Sequence, residues 1–249
     1  LQKNQPVLFG ITNLPLRPTP THPCAGVRDP NIEFHLDRTV MESRHDGLHA
    51  HQRVFVPRHL PVECTTLTVT NESDRPRQVS LFSYALFQLT GCDAEGRGLG
   101  KVNFSEVIPE IGGVLITNRL PGLPHDRYKG FLITLGDFHN ANGYRDHFTR
   151  LDYATSAPKI LWGWNCDGRG GYGPDCAGIV QVKFTLQPGE RKRADFLIGH
   201  CADKAEVRKL RESLTPTVLD HWCADAREAE QARAGAWKID VGHDLYNGL

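Results

Sequence analysis

The run from Val54 to Leu89 constrains the fold more than any other part of the chain. Thr66-Leu-Thr-Val-Thr70 alternates polar and apolar residues, the chain turns at Asn71-Glu-Ser-Asp-Arg-Pro76, and a second run resumes at Val79. Successive side chains of a strand point to opposite faces. Leu67 and Val69 therefore share one face, with Thr66, Thr68 and Thr70 on the other. After the turn, Val79, Leu81, Ala85, Phe87 and Leu89 share a face, and Phe82, Tyr84 and Leu86 the opposite one. A strand apolar on both sides must be covered on both, which predicts an interior strand of a large, layered, mainly antiparallel β structure.

The rest of the chain reads as strands followed by helices. Six prolines between Pro6 and Pro30 remove ladder donors, so residues 1–30 read as an extended arm. Residues 31–44 and 48–56 read as a hairpin turning at Asp46-Gly47. The long pair 62–71 and 77–90 follows, then a glycine-rich link to short strands near 101–108, 113–119 and 129–138. Residues 139–176 read mostly as loop, with one strand-like piece near Ile160 to Trp162. Strands at 177–186 and 192–200 are joined by Pro188-Gly189. From Asp203 the period changes: Asp203 and Glu206 have capping-box spacing, and Val207, Leu210 and Leu214 lie three or four apart. A second helix starts at Thr215-Pro216, with Val218, Leu219, Trp222 and Ala226 on one face. Residues 31–201 thus form the β domain and 202–249 a helical linker.

Composition excludes several partners. The 249 residues carry 29 Lys and Arg against 29 Asp and Glu, and no basic run is long enough to follow a phosphate backbone, so no nucleic acid is expected. No stretch approaches 18 consecutive apolar residues, so no membrane span is expected. The first residues hold neither an initiator Met nor an apolar signal region, which reads as a chain cut from something longer. Seven cysteines at scattered spacings do not form a secreted disulfide framework, and the expectation is a reduced, cytoplasmic protein. Cys64 and Cys201 read as small buried thiols. Cys166 and Cys176 bracket a glycine-rich loop that could close a disulfide or hold a metal. Neither end has Cys-x-x-Cys spacing, so no metal is assigned, and no motif asks for a cofactor.

Several motifs in order carry a family resemblance. Phe55-Val-Pro57, Leu67-Thr-Val-Thr-Asn71-Glu-Ser-Asp74-Arg-Pro76 and Ser80-Leu-Phe82-Ser-Tyr84 come first. Gly143-Tyr-Arg-Asp-His-Phe148, Ala157-Pro158 leading to Cys166, and Cys176-Ala-Gly178 with Val180 and Val182 follow. Leu186-Gln-Pro-Gly-Glu190 and Phe196-Leu-Ile-Gly199 close the series. From about Asn31 onward the chain resembles the N-terminal β-supersandwich domain of glycoside hydrolase family 94, the cellobiose and chitobiose phosphorylases and the phosphorylase-like end of cyclic β-1,2-glucan synthases. The resemblance implies a galactose-mutarotase-like supersandwich whose helical linker feeds an (α/α)6 barrel. It implies an inverting reaction in which a carboxylic acid protonates the glycosidic oxygen while phosphate attacks the anomeric carbon. The family's acid lies in the barrel, so no residue here inherits a catalytic role, and this segment alone is expected to be inactive. The implied partners are a β-linked gluco-oligosaccharide, inorganic phosphate, the barrel and a second copy in a homodimer.

Within the segment, Arg145, Asp146 and His147 put a guanidinium, a carboxylate and an imidazole in one loop. Such groups suit a phosphate or sugar hydroxyl, and an Arg–Asp pair that fixes the loop is the structural alternative. Trp162 and Trp164 are two apart and share a face if extended, where their rings would stack on sugar C–H faces or pack in a core. His49 and His51 share a strand face, with His35 or His45 across the hairpin as metal ligands or incidental histidines. Two functions fit these features: a non-catalytic domain of a phosphorylase or glucan-processing enzyme, or an independent lectin-like carbohydrate-binding module.

Overall fold

The computed structural model describes residues 10–11, 28–87, 89, 103–118, 129–149 and 165–236. Among the described residues, thirteen strands make two sheets that pack face to face, and two α-helices close the outer face of the larger one. In chain order the strands are β1 (Gly10–Ile11), β2 (Arg28–Phe34), β3 (Arg38–His45), β4 (Leu48–Phe55), β5 (Val62–Asn71), β6 (Arg77–Leu86) and β7 (Asn103–Ile108). They continue as β8 (Gly113–Asn118), β9 (Lys129–Thr134), β10 (Phe138–Tyr144), β11 (Gly171–Tyr172), β12 (Cys176–Leu186) and β13 (Arg191–Cys201). The helices are α1 (Lys204–Ser213) and α2 (Pro216–Ala236). The larger sheet has the order β11-β7-β8-β9-β13-β5-β4-β3-β2, and the smaller β1-β6-β12-β10.

The two-sided alternation is realised as expected. Leu67 and Val69 of β5 join Val79, Leu81 and Ala85 of β6 in the core between the sheets. Phe82 and Tyr84 face the other way, into a smaller cluster with Phe148, Cys166 and Ile179 on the outer face of the small sheet. Leu86, expected to share that face, is exposed at the strand end. The outer face of the large sheet buries Phe131, Ile133, Leu197 and Cys201 under Val207 of α1 and Leu219 and Cys223 of α2.

Three elements depart from the sequence reading. Residues 31–44 do not form one strand, because β2 and β3 are separated by a turn at His35, Leu36 and Asp37. The runs 62–71 and 77–90 are not paired: β5 lies between β13 and β4 in the large sheet, and β6 between β1 and β12 in the small one. β12 and β13 likewise belong to different sheets. Both turns are therefore arches that carry the chain between layers. Third, β10 lies in what reads as loop. Phe138-His-Asn-Ala-Asn-Gly-Tyr144 has no apolar alternation, and its strand form comes from the antiparallel ladder with β12, kinked by two register shifts.

Local signals end the elements where expected. Asp46 (φ 46°) and Gly47 (φ 74°) both lie in the left-handed region, the two-residue turn that suits the twist of a hairpin, and they join β3 to β4. Asp203 caps α1, its side chain accepting from the Glu206 amide at 2.9 Å while the Glu206 carboxylate accepts from the Ala202 amide at 2.7 Å. Thr215 Oγ1 accepts from the Val218 amide at 3.3 Å and opens α2. The buried face of α2 is Leu219, Cys223 and Ala226, with Val218 and Trp222 half-buried beside it. α2 is also pinned by charge: Arg193 donates through Nη1 to Asp220 at 2.8 Å and through Nε to both Asp195 oxygens, at 2.8 and 2.9 Å. Thr66 Oγ1 completes the network by donating to Asp195 at 2.8 Å.

Candidate functional site

Arg145, Asp146 and His147 lie together beside the outer face of the small sheet, where β10 ends. The chain leaves β10 through a single turn of 3-10 helix, Arg145–His147. The segment after Asn165 runs alongside β10, held by Gly168 N donating to Ala141 O at 3.1 Å and Gly143 N donating to Arg169 O at 2.8 Å. Two distant stretches, 142–149 and 165–169, thereby face one another.

Arg145 works inward. Its Nη2 lies 2.6 Å from Asp175 Oδ1, and its amide donates to Asp175 O at 2.9 Å. Its own carbonyl accepts from the Phe148 and Thr149 amides, both at 2.9 Å. An Arg–Asp pair does fix this loop, and the partner is Asp175 in the turn before β12. Asp146 is half-buried on the same turn. Phe148, just beyond, stacks on Tyr84 with ring centroids 4.9 Å apart, which seats the turn on the sheet.

His147 faces outward into a chain of hydrogen bonds. Asn142, fully buried, accepts through Oδ1 from the Asp167 amide at 2.8 Å, and its Nδ2 donates to Asp167 Oδ1 at 2.7 Å. That reciprocal pair fixes the amide orientation, so the Nδ2 that lies 3.1 Å from His147 Nδ1 is a donor there too. In its neutral form the imidazole accepts at Nδ1 and carries its proton on Nε2. Arg169 Nε lies 2.7 Å from Asp167 Oδ2, and that hydrogen bond, helped by Asn142, holds the Asp167 carboxyl below the ordinary carboxylate range. Asp167 is thus an ionised acceptor at neutral pH and a poor proton donor. Beside it, Gln181 donates to Asn165 Oδ1 at 2.8 Å, and Lys183 to the same oxygen at 3.0 Å. The face offers alternating donors and acceptors, suited to hydroxyl groups, with exposed guanidinium at Arg169.

Arg145 and His147 share this turn, but they point to different tasks. Trp162 and Trp164 lie outside the described residues, as does the strand-like piece near Ile160. Sequence reasoning missed Asn142, Asp167 and Arg169. The available signal is the glycine-rich loop after Cys166, whose sequence suggests a disulfide or metal loop. Its two cysteines are on opposite faces of the small sheet: Cys166 lies in the outer cluster and Cys176 in the core between sheets. Both are free thiols, so the bridge is excluded.

The histidines do not converge. His49 and His51 share the outer face of β4, but His49 Nδ1 lies 3.4 Å from Glu72 and His51 Nε2 3.9 Å from Glu42. His35 pairs with Glu33 at 3.2 Å, and the side chain of His45 lies outside the described residues. Among the described residues no group of three or more His, Cys, Asp or Glu could hold a metal ion, and no helix is long and apolar enough to cross a membrane.

Comparison with known proteins places these features in a family. The solabiose phosphorylase of Paenibacillus borealis is 27% identical over 187 residues, which cover 74% of this chain and 24% of that protein. The N,N'-diacetylchitobiose phosphorylases of Vibrio proteolyticus and Vibrio furnissii are 26% and 25% identical, over 73% and 72% of this chain and 22% of each relative. The chain therefore spans about a quarter of the length of the curated relatives it matches. A family model described as glycosyl hydrolase 94, supersandwich domain, matches residues 16–216, and with the two packed sheets and their helical cover it shows that the chain belongs to that family.

Proposed function

We propose that the chain is the non-catalytic supersandwich unit of an inverting β-glycoside phosphorylase or a related glucan-processing enzyme. In this reading residues 31–201 are the β domain, 202–249 lead toward an (α/α)6 barrel, and 1–30 form an arm. The full-length cytoplasmic enzyme, a homodimer, acts on a β-linked gluco-oligosaccharide with inorganic phosphate. The observation that carries the proposal is the alignment of about three quarters of the chain with 22–24% of the length of three relatives named for that activity.

The face built from Asn142, His147, Asp167 and Arg169 supports a framing role. It holds the ionised Asp167 carboxylate, the His147 imidazole and the Arg169 guanidinium, groups that bind hydroxyls. Arg145, paired with Asp175, holds the turn that presents His147, and Asp146, Trp162 and Trp164 are proposed as further sugar contacts.

The test is turnover. The chain alone, incubated with cellobiose or diacetylchitobiose and phosphate, is expected to release no sugar 1-phosphate. Fused ahead of the barrel of a relative in place of that enzyme's own domain, it is expected to support turnover, and His147→Ala and Arg169→Ala are expected to raise KM about tenfold with kcat little changed. Sugar 1-phosphate from the isolated chain would refute the non-catalytic assignment. Unchanged kinetics in both variants would refute the framing role.

A further inference from the structure

On the far side of the sandwich from His147, a groove of about 500 Å3 separates α2 from the outer face of β2, β3 and β4. Arg38, Arg53 and Arg227 supply three guanidiniums, and Glu33, Glu42 and Asp220 three carboxylates. With histidines neutral, three positive and three negative charges leave no net charge, so the lining draws neither an anion nor a cation. What it does present is a dense, alternating set of planar donors and acceptors over a small apolar floor of Val40 and Ala224.

One of the cations has capacity to spare. Arg53 is held in place by its bond to Asp220. Arg227 makes no ion pair among the described residues. The carboxylates are also incompletely used: Glu42 meets His51 only at 3.9 Å, and a carboxylate can accept about four hydrogen bonds. The volume falls inside the roughly 300–1,000 Å3 of ordinary ligand clefts.

From this we propose that the groove is a second, non-catalytic site for a neutral polyhydroxyl ligand, a stretch of uncharged oligosaccharide. Vicinal hydroxyls both donate and accept, so they satisfy guanidinium and carboxylate together at no cost in net charge. No bond is made or broken there. The inference goes beyond phosphorolysis, because a site on this face can hold a glycan whatever reaction is performed elsewhere.

Calorimetric titration of the whole chain with cellotetraose and with laminaritetraose tests it. At least one is expected to give saturable binding. Arg227→Ala and Glu42→Gln are each expected to weaken it at least fivefold without moving the melting temperature, while Arg208→Ala, at an exposed position on α1, leaves it unchanged. No saturable binding of either sugar would overturn the proposal, as would full affinity in both groove variants. Saturable binding of inorganic phosphate that Arg227→Ala abolishes would also overturn it, marking an anion site. The phosphorylase reading is judged separately, by sugar 1-phosphate formation.

Discussion

The side-chain amide of Asn71 donates to the backbone carbonyl of Leu186 at 3.1 Å, across 115 residues of chain. Asn71 is where β5 leaves the large sheet, and Leu186 is where β12 leaves the small one. The same amide donates to Arg75 O at 2.8 Å, and its oxygen accepts from the Ser73 amide and hydroxyl at 3.0 and 2.6 Å. The Asn71 backbone donates to Glu190 O at 2.9 Å and accepts from Gly189 N at 2.8 Å. One buried residue thereby stitches together both arches that carry the chain between layers.

Replacing Asn71 by Ala removes four hydrogen bonds and strands the buried Leu186 carbonyl, while the Arg75 carbonyl and the Ser73 donors at the turn can reach water. The expected cost is roughly 2–4 kcal/mol, read as a fall in the urea midpoint with the slope unchanged. A loss below about 1 kcal/mol would mean that the backbone bonds alone hold the arches.

Gly47 and Gly189 share a positive φ, 74° and 75°, but differ in surroundings. A Cβ on Gly47 would lie 2.8 Å from Ser73 Cβ, whereas one on Gly189 meets nothing within 4 Å. Gly189→Ala should therefore lose only the backbone term, about 1 kcal/mol, and Gly47→Ala about 2–3 kcal/mol. Equal losses in thermal or urea unfolding would show that the hairpin tip does not rest on the first arch.

Glu63, on β5, has a buried Oε1 with no hydrogen-bond partner, and burial pushes its carboxyl above the ordinary range. A raised carboxyl value means that the folded state favours the proton, so Glu63 costs stability once pH rises past the ordinary value and toward the folded one. Glu63→Gln is expected to stabilise the protein by about 1 kcal/mol at pH 7, and the gain should shrink toward zero near pH ~4. Urea midpoints of both proteins at the two pH values give the comparison, and a destabilised variant at pH 7 would reverse the sign argued here.

Burial raises the thiols of Cys64 and Cys201 to about 12, and also raises those of Cys166, Cys176 and Cys223. Thiolates are the reactive form, so all five should resist alkylation by iodoacetamide at pH 8 in the native protein and react fully in denaturant. Rapid native labelling of any of the five, located by mass spectrometry, would show that its site opens.

The faces of strands and the ends of helices are legible in the residues alone. Leu67, Val69, Val79 and Leu81 declare their face because side-chain direction depends only on position along a strand. Asp46-Gly47 and Asp203 with Glu206 declare a turn and a cap because their partners lie within a few residues. Strand partnership is different, since every residue brings the same N–H and C=O to a ladder. That β5 joins β13 rather than β6, or that Asn142 meets Asp167 across 25 residues, depends on contacts formed only when the layers assemble. The same holds for the Arg145–Asp175 pair: the loop announces its charges, and tertiary packing decides that the guanidinium turns inward while His147 stays at the face.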